Sequence, residues 1–228
     1  RRGGKDERQE KRHKGRLKIG VDIPTREEVK ALVDAAKGRW RPFLLVAIFC
    51  GLRASELRRL RWSDVDMAKR EVRVHQRADR FNDIGAPKSA SGERTIPAPP
   101  IVINALKEWK LACPTGDLDL VFPNGSGKVE ELTNILRRGL RPTWIAANVT
   151  VPGDDGQPKA KYGGMHSLRH FYASWCINRK EEGGLGLPAV QERMGHSTIA
   201  LTMDRYSHLF PSDDDGSELA SASAWMTA

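Results

Sequence analysis

Six side chains spread between positions 53 and 206 suit a single kind of chemistry, the cleavage of a phosphodiester. They are Arg53, Lys88, His166, Arg169, His196 and Tyr206. They occur in Gly51-Leu52-Arg53-Ala54-Ser55-Glu56-Leu57, Pro87-Lys88-Ser89, His166-Ser167-Leu168-Arg169-His170, Met194-Gly195-His196 and Met203-Asp204-Arg205-Tyr206. Without a metal, that cleavage needs cations on the phosphate oxygens, a proton donor for the leaving oxygen and a nucleophile. Two arginines, a lysine, imidazoles and a phenol supply those parts.

Each residue also has a plainer reading. Arg53 three residues before Glu56 is a common helix-start ion pair; in a working site Glu56 would instead orient the guanidinium while its fork grips a phosphate oxygen. A loop lysine is ordinarily just solvated, yet Lys88 is the one lysine between Lys69 and Lys107 and would serve as general acid. His166 and Arg169, three apart, share a face near a helix N-terminus, where the dipole and free amides favour an anion. His166 and His170 are four apart, a spacing a metal could use, but Ser167 stands where a zinc protease requires Glu. Tyr206 closes a helical stretch, and a phenol becomes a nucleophile only when cations or bases assist it. His196, after Gly195 in a tight turn, would be placed to donate to a non-bridging phosphate oxygen. Glu56 and His170 support the set.

The elements that must position these groups are legible in the hydrophobic pattern. Thr25 and Glu28 form a capping-box signature for a helix over about 25–37. An apolar helix over 41–50 ends at Gly51, and a short helix over 53–60 turns Leu57 and Leu60 inward. Glu71 to His75 alternates with period two and reads as a strand. Glu93 to Pro97 pairs with it, leaving Lys88 near the turn of a small hairpin. Helices follow at about 101–111, 131–147, 166–179, 187–194 and 198–206. Within 166–179, Leu168, Phe171, Tyr172, Trp175 and Cys176 mark the core face. The Gly- and Pro-rich stretch from Val151 to Gly164 reads as a loop. The expected fold is α+β: a mostly α-helical single domain with one small antiparallel sheet.

Composition bounds the partner. The chain has 228 residues, 39% of them hydrophobic and 29% charged, with a net charge of +9 and a pI near 9.7. That describes a globular protein with a polyanionic partner, although charge alone leaves nucleic acid, an anionic membrane surface and plain solubility open. Residues 1–18 carry nine Lys/Arg against three acids, and positions 206–228 carry four acids and no Lys/Arg. By difference, residues 19–205 are themselves basic. The longest apolar run, Phe43 to Cys50, is too short to span a bilayer. Cys50, Cys113 and Cys176 show no paired metal-ligand spacing and read as reduced thiols of a cytoplasmic protein.

The order Arg, Lys, His-x-x-Arg, Gly-His, Tyr resembles the catalytic domain of the tyrosine recombinase (phage integrase) family, with the likeness running over roughly 20–211. The resemblance implies that Tyr206 attacks a phosphate to form a 3′-phosphotyrosyl link and release a 5′-hydroxyl. It makes Arg53 and Arg169 the transition-state cations, Lys88 the general acid, His166 a base or positioner and His196 a phosphate donor. It further implies no cofactor, metal or ATP, and double-stranded DNA as partner. A homotetramer on DNA joined by exchange of C-terminal tails, accessory bending or directionality proteins and association with the nucleoid also belong to that expectation. Residues 1–20 then read as a basic linker from an upstream DNA-binding domain, 21–211 as the catalytic domain and 212–228 as an acidic tail. Two rivals share much of the pattern: a type IB topoisomerase and an inactive DNA-binding regulator. The Gly195-His196 turn, the short His–Tyr spacing and the full residue set favour the recombinase.

Overall fold

The computed structural model describes residues 16–79, 81–86, 90–178 and 184–210. Lys88, most of the basic N-terminal segment and the acidic tail lie outside the described residues.

Helix α1, Arg26–Ala35, starts as its sequence dictates: Thr25 Oγ1 accepts from the Glu28 amide at 3.2 Å and Glu28 accepts from the Thr25 amide at 2.8 Å. Its apolar face buries Val29, Leu32 and Val33. Helix α2, Trp40–Cys50, is apolar on every face beyond Arg41 in its first turn because it runs through the centre of the core. Gly51 ends it in the left-handed region at φ 60°, and Tyr172 packs so closely that a Cβ there would fall 2.2 Å from the ring. Gly51 is therefore required twice, by backbone and by contact. The short helix α3, Ala54–Leu57, follows at once and begins with Arg53 as its extended cap.

Strands β1 (Val65–Asp66), β2 (Glu71–Val74) and β5 (Arg94–Pro97) form an antiparallel sheet in the order β1-β2-β5. Val72 faces Ile96 and Val74 faces Arg94; the period-two pattern turns all four inward. Two further hairpins add to the one expected sheet. Strands β3 (Arg77–Ala78) and β4 (Ile84–Gly85) pair within the loop before Lys88. Strands β6 (Thr150–Pro152) and β7 (Pro158–Ala160) pair inside the stretch read as loop. There, the Gly153 amide donates to Gln157 O at 2.8 Å and Asp155 Oδ1 accepts from the Gln157 amide, closing the turn.

Helix α4, Pro100–Ala112, packs on α2. The expected continuous helix over 131–147 is instead three joined pieces: α5 (Leu132–Asn134), a π-helical turn (Ile135–Leu140) and α6 (Arg141–Ala146). Pro142 removes an amide donor and Gly139 lies in the turn, which favours the wider winding there. Helix α7, His166–Ile177, crosses α2 through Leu168, Phe171, Tyr172 and Cys176. Trp175 departs from the expected core face: it is 40% exposed and stacks under Arg26, whose guanidinium carbon is 4.5 Å from the ring. Helices α8 (Leu187–Met194) and α9 (Ile199–Tyr206) complete the fold, and Gly195 joins them at φ 57°. Among the described residues no helix is long and apolar enough to cross a membrane.

Candidate active site

The end of α8 organises the site. Three consecutive carbonyls there each accept from a different arginine: Arg193 O from Arg94 Nε at 2.9 Å, Met194 O from Arg169 Nη2, and Gly195 O from Arg53 Nη2 at 2.8 Å. A helix C-terminus leaves its last carbonyls without intrahelical donors and concentrates partial negative charge. The sequence meets that requirement with guanidiniums from β5, α7 and the start of α3.

Glu56 is the second organiser. Its carboxylate accepts from the Arg53 amide at 2.7 Å, from Arg53 Nη1 at 2.8 Å and from Arg94 Nη1 and Nη2 at 3.1 and 2.9 Å. Burial works to raise its pKa. The Arg94 hydrogen bonds and the charges of Arg94, Arg169 and Arg53 outweigh it and hold the group down at about 2. Glu56 orients Arg53 as expected from their spacing.

The face near the helix start that the spacing gives to His166 and Arg169 is not uniformly open, and Arg169 lies on its inner side. It is buried and donates to Gly51 O and Met194 O, because the turn of α7 that carries it packs against the Gly51 corner. His166 stays exposed at the helix start. His196 is fixed through Nδ1, 2.9 Å from Thr202 Oγ1 on α9. Burial first, then the charges of Arg169, Arg53, Arg205 and Arg94, push its pKa down to about 4. At neutral pH its ring is uncharged and can offer one N–H.

A cleft of about 590 Å³ opens over these groups, lined among others by Arg53, Ser55, Arg77, His166 and His196. Arg169 and Tyr206 lie outside that lining, in the buried layer behind it. Tyr206 is 1% exposed, and its hydroxyl is 2.6 Å from His170 Nδ1. The rings of His166 and His170 are 6.3 Å apart, and those of His170 and Tyr206 5.9 Å. Burial raises the Tyr206 hydroxyl to about 12 against the opposing charges of Arg169 and Arg205.

The structure thus gathers Arg53, Glu56, His166, Arg169, His170, His196 and Tyr206 around the ends of α3, α7, α8 and α9. Sequence reasoning missed Arg94 and Arg77. A signal for Arg94 was present: it is a charge on the same strand face as the buried Ile96, two residues on. Arg77, on a two-residue strand, gave none. Among the described residues no group of three or more His, Cys, Asp and Glu is placed to hold a metal ion.

Comparison with known proteins gives the family and the fold. Residues 24–212 match the model of the phage integrase family. The chain is 30% identical over 221 residues to a XerC-like tyrosine recombinase of Caldanaerobacter subterraneus, covering 85% of this chain and 52% of that protein. It is 26% identical to the ICEBs1 integrase of Bacillus subtilis, covering 75% and 45%. The chain belongs to the phage integrase family, the tyrosine recombinases. It spans about half the length of the curated relatives it matches. Among solved structures, the Tn1549 transposon integrase in complex with transposon right end DNA superimposes with a TM-score of 0.65 at 21% identity, covering 90% of this chain and 66% of that one. XerA recombinase gives 0.63 at 22% identity, covering 88% and 64%. The fold is that of their catalytic domains, α+β and mostly helical.

Proposed function

We propose that this chain carries the catalytic domain of a site-specific DNA recombinase, acting in integration or excision of a phage or mobile element. The observation that carries the reading is the arginine arrangement: Arg53 and Arg169 anchored on the adjacent carbonyls of Gly195 and Met194, with His196 next in sequence. Each guanidinium keeps N–H groups beyond those anchoring bonds, and such forks match phosphate oxygens.

In this reading a scissile phosphate enters the cleft above α8 and is neutralised by Arg53 and Arg169. The Tyr206 oxygen attacks phosphorus, forming a phosphotyrosyl ester on the 3′ side, and the bond to the 5′ oxygen breaks. Lys88 delivers the proton that the departing oxygen takes up, and His166 accepts or positions the phenolic proton. Attack by a 5′-hydroxyl of the partner strand reverses each bond change, so the phosphoester energy is conserved without a nucleotide cofactor. His170 holds the phenol until the buried hydroxyl is delivered to DNA. Residues 1–20 are assigned as a linker to a DNA-clamping domain and 212–228 as a tail that joins subunits of a tetramer on double-stranded DNA. Bending or directionality proteins would act on that assembly at the nucleoid.

The test is covalent trapping on nicked duplexes that lose the cleaved fragment, drawn from DNA flanking the source gene and from a randomised pool, with no metal added. A protein–DNA band that survives denaturation is expected. Salt-sensitive binding without any such band, in the chain joined to its upstream domain, would overturn the enzymatic reading in favour of a binding module.

A further inference from the structure

We propose that Arg94 is a positioning residue of this phosphate site, setting the spacing of the two cations without touching the phosphate itself. The inference rests on the recombinase reading for its reaction, but its geometry stands independently.

Arg94 occupies an inward position on β5, opposite Val74. Its side chain is 2% exposed. Nε donates to Arg193 O, Nη1 to Glu56 Oε1 and at 2.9 Å to Gly92 O, and Nη2 to Glu56 Oε2. Four of its five N–H groups are therefore committed inside the protein, and the side chain is closed off from the cleft. Arg53, by contrast, is about one-third exposed and lines the cleft. Arg94 acts through others.

Its partners are the two organisers of the site. Glu56 receives two of its four hydrogen bonds from Arg94, one on each carboxylate oxygen, opposite the two it receives from Arg53. The α8 terminus receives the third. Gly195 is held against the same guanidinium: a Cβ there would lie 2.8 Å from Arg94 Nη1. Removing Arg94 would leave the buried Glu56 carboxylate with the Arg53 donors alone and release the turn that anchors both Arg53 and His196. A bidentate fork is needed because two carboxylate oxygens and a helix-end carbonyl must be held by one rigid group.

Two measurements on the chain decide this, one of them independent of catalysis. Inorganic phosphate is titrated against the wild type, Arg94→Met and Arg94→Lys, following the imidazole signals of His166 and His196 by NMR with melting recorded in parallel. Loss of the group that orients a metal ligand typically costs about 10–100-fold; by that analogy Arg94→Met should weaken phosphate binding by at least about tenfold, with Arg94→Lys between it and the wild type. Wild-type phosphate affinity in a folded Arg94→Met, or in a folded Arg94→Lys should the first not fold, would overturn the proposal.

The second measurement is adduct formation, where misplacement of about 1 Å can lower the rate roughly 10²-fold. A methylphosphonate at the scissile position replaces a charged oxygen by a methyl group and so removes much of the need for paired cations. The deficit of Arg94→Met should shrink on that duplex; an equal deficit on both duplexes would assign the loss to folding and contradict a positioning role. A wild type that binds phosphate but forms no adduct, even when joined to its upstream domain, would refute the recombinase reading while leaving the phosphate titration to judge Arg94.

Discussion

The Tyr206 hydroxyl lies 2.6 Å from His170 Nδ1, so the residue expected to attack DNA is tied to the helix that supplies Arg169. Burial, then the charges of Arg205, His166 and Arg169, hold His170 down at about 4. At neutral pH a neutral imidazole thus accepts from a neutral phenol. His170→Leu leaves the buried phenol without an acceptor, which should cost about 1–3 kcal/mol. The double variant with Tyr206→Phe removes both polar groups and should fall short of the summed single losses by about 1 kcal/mol. Urea unfolding of the four proteins measures this; additive losses would mean that the contact contributes nothing.

Acid should weaken the fold in two stages. His170 and His196 sit near 4 in the folded chain against an ordinary 6.5. As pH falls below 6.5 the unfolded chain takes up protons that the folded chain resists, so stability declines between pH 6.5 and 4. Glu56, held at about 2 against an ordinary 4.5, contributes stability that is complete above pH 4.5 and is lost as pH falls from there toward 2. Chemical denaturation across pH should show both limbs. Replacing His170 and His196 by Gln should flatten the upper limb and leave the lower one; an unchanged upper limb would contradict the depressed histidines.

The two left-handed glycines at the site should differ in sensitivity. Gly51→Ala places a methyl inside the Tyr172 ring position and should cost about 2–4 kcal/mol through overpacking and backbone strain. Gly195→Ala meets Arg94 Nη1 at 2.8 Å and Ser91 O at 3.0 Å. It should cost about 1–3 kcal/mol on the same grounds and weaken phosphate binding as well. Thermal melts with phosphate titration would show this, and a Gly195→Ala protein with wild-type affinity would contradict the role of the turn.

Binding to duplex DNA should be dominated by counterion release. If about six phosphates are neutralised, log K should fall against log salt with a slope of roughly −5. Fluorescence anisotropy across a salt series checks it; a flat dependence would remove the electrostatic basis of the interface.

Much of this was legible locally. The helices start and stop within a few residues of their sequence signals, because capping residues, glycines and apolar spacing act within one or two turns. The same locality explains the omissions. Strands of two or three residues, as in Arg77–Ala78 with Ile84–Gly85, are made by turn hydrogen bonds rather than by a hydrophobic pattern. The π-helical turn follows from Gly139 and Pro142 acting inside an otherwise regular helical pattern. Trp175 fits the apolar stripe of α7 yet faces outward, because nothing in the stripe reveals where the neighbouring elements stop. Arg94 depends on Glu56, 38 residues away, and on Arg193, 99 residues away. No window along the chain contains that relationship. Of the six candidate residues, the fold brings Arg53, His166, Arg169, His196 and Tyr206 to the ends of neighbouring helices, and Lys88 lies outside the described residues.

The central claim is that Tyr206 carries the covalent link. The chain has three tyrosines. Tyr162 donates its hydroxyl to Glu28 at 2.7 Å, and Tyr172 packs against the Gly51 corner. Trapped adducts should be digested with nuclease and protease, and the nucleotide-bearing residue located by mass spectrometry, beside a Tyr206→Phe control that still binds DNA. A phosphonucleotide on Tyr206, absent from the control, is the predicted result. An adduct on Ser207 or any other residue, or one that persists in Tyr206→Phe, would contradict the account.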